Sequence, residues 1–503
     1  MENKGENGAE GAAGDAEKQK SIRGRFQRTT RERFDALGLW GLTQEFRNVR
    51  TPASWWAADR ERLLALVHTG SEKWDVRVTL LMRDAANRYR PVSHSPALPT
   101  VRFAEDAICG QLGDDALAST FEHTTDGPPA GVNLFEPVVP EDRIAPEFRY
   151  LRDGVAQSAA RDLLRVLQPW VVDLDGNLAK DFQSTGYSAR LWEIYLRFAF
   201  AEMNLIILND HAVPDFELVT GDHRVFVEAT TVNAPGGGRG AGLRRGAPPP
   251  PPNNMMKHLE EVMTLRFGSP LHTKMGKRYW DMAHVQGHPF ILAIADFHDA
   301  ASMTWSHTAL PIYLYGHSAE MMILPGGERV GKEKVLPGFE RKAEMLKPFF
   351  EQEGTENVSA ILSSNAGTIA KFNRMGARAG FGDRFVTLSR HGARHVAGPD
   401  AYEPLLFAED VEAGTSQEGW SDELAMFHNP HAILPVEPAL FPGIAHYEVI
   451  DQEVVWFGPQ ERILYSSTMT VDGLGREVAM KGLWPDDEPA GEEAAGSSPD
   501  TEE

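Results

Sequence analysis

Cysteine is almost missing from this 503-residue chain, where Cys109 stands alone. A single thiol forms no intrachain disulfide and builds no thiolate zinc cage. Its place in FAEDAICGQL reads as a small buried residue on a helix. Long hydrophobic runs are missing too, and no stretch approaches the ~18 apolar residues of a membrane-spanning helix. The opening MENKGENGAEGAAGDAEKQK has no apolar segment of the kind that directs secretion. These absences predict a soluble, cytoplasmic protein with no membrane partner. Positive charge is in deficit: 50 Lys and Arg stand against 72 Asp and Glu, a formal net charge of −22. That balance opposes non-specific adhesion to nucleic acid or to an anionic membrane. A nuclease is still permitted, because local basic patches and bound cations offset a global acidic field. The patterns G-x-x-x-x-G-K-[ST], H-E-x-x-H and G-x-S-x-G do not occur, so nothing signals a P-loop ATPase, a zinc protease or a serine-hydrolase elbow.

What is present is enough apolar material, 42% of residues, for globular packing, in a chain long enough for two or three domains. Residues 1–30 are rich in Gly, Glu and Lys and read as a disordered tail, and 485–503 as a disordered acidic one. RGRFQRTTRERF reads as a basic, solvated helix start. An α+β module is expected over 31–182. In it, Ser54 caps a helix through SWWAADRERLLALVHTG, and VRVTLLM with RYRPVSHS makes a hairpin. FAEDAICGQL and VAQSAARDLLRVLQ are further helices, residues 121–148 are irregular, and VVDLDGN is a turn. The module carries no catalytic constellation and suits packing, target recognition or partner contact.

A core follows over 183–380, interrupted at 235–254 by the Gly/Pro-rich insertion PGGGRGAGLRRGAPPPPPNN. Within the core, SMTWSHTALPIYLYG and GGERVGKEKV read as peripheral helix and turn. NVSAILSSN and AGTIAKFNRMG add a strand–helix unit, with Lys371 and Arg374 on a solvated face. A β- and loop-rich extension is expected over 381–484, where HNPH (His428–His431) reads as a turn. The segment Leu191–Phe297 organises the core as helix, strand, strand, strand, helix, strand.

Two acids in it fall where a metal could be held. In VPDFELV, Asp215 and Glu217 share one face, and in RVFVEATTV, Glu228 and Thr230 share one. If these strands are neighbours, Asp215 and Glu228 converge at one end of the sheet. Carboxylates that close repel unless a cation lies between them. Oxygen ligands favour Mg²⁺ or Mn²⁺, which polarises a phosphoryl oxygen and activates bound water. Glu193 lies off the apolar face of LWEIYLRFAFAEM, where it either orients a metal-bound water or pairs with Arg197 one turn on. Asp296 and His298 close the strand PFILAIADFHD.

The order of a helix with Glu193, then Pro214-Asp215, then Glu228-Ala229-Thr230, then a helix and PFILAIADF resembles the restriction-endonuclease-like, PD-(D/E)XK nuclease superfamily. The resemblance spans roughly 185–300, extending toward 375. It implies an α/β fold with an αβββαβ core and Mg²⁺-dependent cleavage of DNA or RNA phosphodiesters. It also implies metal ligation by Asp215 and Glu228, and a Lys two positions after the Glu. Thr230 stands at that position instead. Superfamily members relocate this Lys to the following helix, and in SPLHTKMGKRYWD the candidates are Lys274 and, three residues on, Lys277. The catalytic set implied is Glu193, Asp215, Glu228 and Lys274. A role in bacterial defence or nucleic-acid processing extends the resemblance further. The competing expectation is a catalytically inactive binding or assembly protein on the same fold, which the missing Lys and the acidic charge favour. A homo-oligomer or a protein partner is left open.

Overall fold

A computed structural model describes residues 25–71, 75–118, 131–233, 258–298, 302–323, 329–335, 339–341, 344–396, 404–414 and 417–472. Residues 318–346 are described by backbone alone. Most of both tails and the whole insertion at 235–254 lie outside the described residues.

The chain is mixed α/β with several sheets. The first is a five-stranded antiparallel sheet of β1 (Gln27–Arg28), β2 (Thr51–Ala58), β3 (Leu63–Thr69), β4 (Val76–Arg83) and β5 (Tyr89–His94). Here the expected helix over SWWAADRERLLALVHTG is corrected to a hairpin of β2 and β3. The run LLALV has no polar face, which an amphipathic surface helix would need. In β3 its residues alternate between two cores: Leu63, Ala65 and Val67 enter one, and Leu64 and Leu66 the other. Asp59, Arg60 and Glu61 make the connecting turn, all at positive φ. Ser54 caps nothing; it is buried in β2 and accepts the indole N–H of Trp56 at 2.9 Å.

The basic start becomes α1 (Arg31–Gly38), capped by the Thr30 hydroxyl, and α2 (Gln44–Val49) follows it. FAEDAICGQL splits at Gly110 into α3 (Val101–Cys109) and α4 (Gln111–Ala118). Cys109 is exposed there, a correction to its expected burial. Next come α5 (Pro146–Asp153), α6 (Ser158–Leu167) and α7 (Leu178–Phe182). In the VVDLDGN turn, Asp173 accepts the Gly176 and Leu178 amides.

The central sheet has eight strands. Helix α8 (Tyr187–Glu202) leads into β6 (Ile206–Leu208), β7 (Phe216–Thr220) and β8 (His223–Asn233). Helix α9 (Thr264–Met275) then leads to β9 (Phe290–Phe297). This is the expected helix, three strands, helix, strand. Pairing is antiparallel for β6 with β7 and β7 with β8, and parallel for β8 with β9.

After β9 come α10 (Ser302–Trp305) and α11 (Ala309–Tyr315). The latter is not peripheral: Ala309, Leu310, Tyr313 and Leu314 are buried against the sheet. GGERVGKEKV supplies a strand rather than a helix and turn. β10 (His317–Ile323) pairs with β11 (Arg329–Val335), and β12 (Phe339–Arg341) with β13 (Glu344–Leu346). β14 (Ala360–Ser364) joins β9 in parallel, and α12 (Ile369–Arg378) follows.

The chain beyond 380 is divided. β15 (Val386–Val396), β16 (Leu405–Val411) and β20 (Glu461–Asp472) make a separate three-stranded sheet. β17 (Leu424–His428), β18 (Ala445–Ile450) and β19 (Glu453–Phe457) complete the central sheet beside β14. Its two faces bury separate cores. α8 covers one with Phe216, Val227 and Ile291, while α9 and α11 cover the other with Phe226, Leu292 and Ile361. No helix among the described residues is long and apolar enough to cross a membrane.

Lys371 and Arg374 are corrected from a solvated face to full burial. Lys371 Nζ lies 2.7 Å from Glu418 Oε1, Arg374 Nη2 lies 2.7 Å from the same oxygen, and Arg390 Nη2 lies 2.6 Å from Glu423. Sequence could not reveal this, because Glu418 and Glu423 come from a loop more than forty residues away. His428 is likewise a buried strand end, 3.0 Å from His446, and not a turn residue. Burial of Glu418 among three cations predicts that Glu418→Ala costs about 3–5 kcal/mol, because it strands buried positive charge. Urea unfolding of the full chain measures it.

Candidate functional site

Helix α8 is apolar nearly all round, with Leu191, Trp192, Ile194, Tyr195, Leu196, Phe198, Ala199 and Phe200 buried. Arg190, Glu193 and Arg197 interrupt this at steps of three and four residues, so they form one polar stripe. Such a stripe on a buried helix must be answered by charge or solvent. Beside it lies the start of β7.

Phe216 pairs with Val227 in the antiparallel register of β7 and β8, which sets Asp215 opposite Glu228. The two are tied reciprocally. The Ala229 amide donates to Asp215 Oδ2 at 2.7 Å, and the Asp215 amide donates to Glu228 Oε2 at 3.2 Å. Glu228 Oε1 accepts from Lys274 Nζ and from the Tyr279 hydroxyl, both at 2.5 Å. Lys274 sits at the C-terminal end of α9, on the opposite side of the sheet from α8. Tyr279 stacks on Phe290 of β9 with ring centroids 5.4 Å apart. The carboxylate of Glu228 is therefore fixed by a cation, a phenol and a backbone amide, with its side chain 6% exposed.

Burial raises the pKa of Asp215 well above its usual value, and the charges of Glu228 and Glu193 raise it further. The Ala229 amide and Lys274 act against this. Glu193 is also raised, first by burial. Arg190 and Lys274 pull it back down, and Glu228 adds to the rise. Glu193 Oε2 accepts from Arg190 Nη1 at 2.8 Å. The expected Arg197 partner is thus replaced by Arg190, three residues before. The Tyr279 hydroxyl is pushed above its ordinary range by burial and by the Glu228 carboxylate it donates to.

The four residues singled out from sequence are thus gathered: Asp215 and Glu228 touch, Lys274 touches Glu228, and Glu193 lies in their electrostatic field. Lys277 is not. Helix α9 ends at Met275, so Lys277 leaves the Lys274 face and stands over the Tyr279 ring at 5.9 Å. Glu217 is buried with His211 Nδ1 at 2.9 Å and pairs with Arg224. Asp296 and His298 form their own buried contact at 2.7 Å, closed by the Ser306 hydroxyl. Sequence reasoning missed Tyr279, whose hydroxyl reaches Glu228 across fifty-one positions. It also missed His211 and His284. Their rings stack 3.8 Å apart at 5°, and His284 Nε2 lies 2.9 Å from the Val213 carbonyl just before Asp215.

A groove of about 80 Å³ opens onto this place, lined among others by Arg190, Glu193, Arg197, Asn209 and Asp215. A larger cavity of about 760 Å³ lies elsewhere, between α1, α2 and the C-terminal end of α8, and contains neither Asp215 nor Glu228. Among the described residues no group of three or more His, Cys, Asp or Glu side chains is placed to hold a metal ion. What the site does bring together is Asp215 and Glu228, each carboxylate accepting a backbone amide from the other's strand. Compared with known proteins, the chain matches no family model, no curated protein and no solved structure.

A raised carboxyl pKa binds its proton more tightly in the folded chain than in the unfolded one. Folding stability therefore falls as pH climbs from the ordinary value of 3.8 through the raised pKa of Asp215. Asp215→Asn keeps the oxygen that accepts the Ala229 amide and removes the charge. It should raise the urea midpoint at pH 8 and leave it little changed below pH 3.8, which unfolding curves across that range will measure.

Proposed function

We propose that this protein is a Mg²⁺- or Mn²⁺-dependent phosphodiesterase acting on nucleic acid, with an α/β core of the restriction-endonuclease-like kind. The observation that carries the reading is the direct opposition of Asp215 and Glu228, with Lys274 of the next helix on Glu228. Asp215 and Glu228, buried side by side in the field of Glu193, share a single ion-paired cation among the described residues, Lys274, and so are short of positive charge. A hard divalent cation answers that lack, and Mg²⁺ typically needs only one or two protein carboxylates, with water and substrate phosphate completing its shell. Asp215 and Glu228 would hold it. When bound, the ion polarises the phosphoryl oxygen and lowers the pKa of a water ligand.

The chain's own groups do the rest. Asp215 Oδ2 and Glu228 Oε2 are aimed by backbone amides, so their geometry is set before substrate arrives. Lys274 supplies the cation that Thr230 cannot, and its ammonium offsets charge on the attacking water or on the phosphate. Tyr279 holds the Glu228 carboxylate in its rotamer. Glu193, with its proton affinity raised, is suited to orient or accept a proton from that water.

A second reading is favoured by one observation: the Lys274 ammonium lies on Glu228 Oε1, where it neutralises the acid without a metal. In that reading the fold is a binding or assembly platform and cleaves nothing. One assay separates the two. Plasmid and single-stranded RNA are incubated with the full chain in Mg²⁺ and in EDTA. Cleavage should need the metal and should fall about 10²–10³-fold in Asp215→Ala and in Lys274→Ala, the scale of losing one preorganised electrostatic group. Equal activity in wild type and Asp215→Ala would remove the catalytic assignment.

A further inference from the structure

We propose that Arg197, with Asn209 beside it, is a phosphate-binding subsite that seats the nucleic-acid backbone against the Asp215–Glu228 pair. The inference rests on the phosphodiesterase reading above and adds a residue and a role to it.

Arg190 and Arg197 lie on the same stripe of α8, yet they are used differently. Arg190 is surrounded by acid: Asp181 at 2.9 Å, Asp175 at 3.2 Å and Glu193 at 2.8 Å. It is spent inside the protein. Arg197 has no carboxylate at ion-pair distance among the described residues. Its one hydrogen bond among the described residues runs from Nη2 to the neutral Asn209 Oδ1 at 3.1 Å. A guanidinium carries five N–H donors in a planar fork, so four remain. None of its nitrogens is sealed from solvent without a partner. Burial lowers its pKa to about 10, which leaves it charged at neutral pH.

An incompletely neutralised guanidinium in a half-buried place is costly to keep. The groove that it lines also holds Glu193 and Asp215. The other acids of that groove are already engaged: Asp173 with two backbone amides, and Asp175 with Asn177 and Arg190. Asn209 accepts from Arg197 through its oxygen, and its two amide donors make no hydrogen bond among the described residues, so they remain for a second bond to an anion. A planar fork with a neighbouring amide is the chemistry that recognises a phosphodiester oxygen pair. Lys274 approaches the acid pair from the other side of the sheet. Arg197, in the field of Glu193, lines the groove that reaches Asp215 on this side.

The test is equilibrium binding of a fluorescein-labelled 20-mer, as DNA duplex and as single-stranded RNA, to full-length chain carrying Asp215→Asn to stop cleavage. Binding is measured across a salt series. Against that background, Arg197→Gln should weaken binding. It should also reduce the slope of log K against log salt by about 0.9 on duplex or about 0.7 on single strand, the loss of one phosphate contact. Arg197→Lys should restore most of the slope. Asn209→Asp, which sets a carboxylate against Arg197 without removing it, should reduce the slope as Arg197→Gln does. It carries the test if Arg197→Gln fails to fold. An unchanged slope in a folded Arg197→Gln, or in Asn209→Asp, overturns the subsite and leaves the phosphodiesterase reading standing. If neither probe binds the Asp215→Asn chain, both fail together.

Discussion

Everything at the candidate site depends on the register of one antiparallel pair. Phe216 opposite Val227 places Asp215 opposite Glu228, and a slip of one residue would send every side chain of the strand to the other face. Both faces here are buried, by α8 on one side and by α9 with α11 on the other, so the register is strongly specified. The apolar residues that fill the two cores therefore hold two like charges together. Left alone, that arrangement opposes folding. The reciprocal amide bonds, the Lys274 ammonium and the Tyr279 hydroxyl act against the repulsion, while burial first and the neighbouring acids second hold the Asp215 pKa well above its usual value.

A second concentration of buried charge makes a useful contrast. Lys371, Arg374 and Arg390 surround Glu418 and Glu423, joining α12 to β15 and to the loop before β17. There cations outnumber acids, and Glu418 is held well below the ordinary carboxylate range by its Arg and Lys neighbours, although burial acts the other way. That cluster is ion-paired within itself, although Arg390 Nε and Glu423 Oε2 are buried with no hydrogen bond among the described residues, and it ties the three-stranded sheet to the central one. The Asp215 cluster has the opposite sign of imbalance. The two differ in their balance of charge: three cations meet two acids in the first, while Glu193, Asp215 and Glu228 are ion-paired with two, Arg190 and Lys274, in the second.

The legible part of this chain was its periodicity and order. The alternation in VPDFELV and RVFVEATTV, the helical spacing of LWEIYLRFAFAEM and the apolar run PFILAIADF gave the central elements and brought forward Glu193, Asp215 and Glu228, while Lys274 came only from what the resemblance implies. Errors fell where tertiary packing outweighed local preference. LLALV has good helix formers, yet it lies between two cores and runs as a strand. Lys371 and Arg374 look solvated because their acidic partners are more than forty residues away. Tyr279 carries no local signal, since its value lies in reaching Glu228 from a turn after the helix. Lys277 looked equivalent to Lys274 until the helix ended two residues before it.

By itself the sequence determined which residues could carry chemistry, because side-chain type and strand or helix period are local properties. It also determined that the chain, with one cysteine, builds no thiolate zinc cage of its own. Only the tertiary structure decided that Asp215 meets Glu228, that Lys274 and not Lys277 reaches Glu228, and that Arg190 is ion-paired with three acids while Arg197 bonds Asn209. Those are questions of distance between segments far apart in the chain. Such distances are set by how two cores close on either side of one sheet, and no local pattern encodes them.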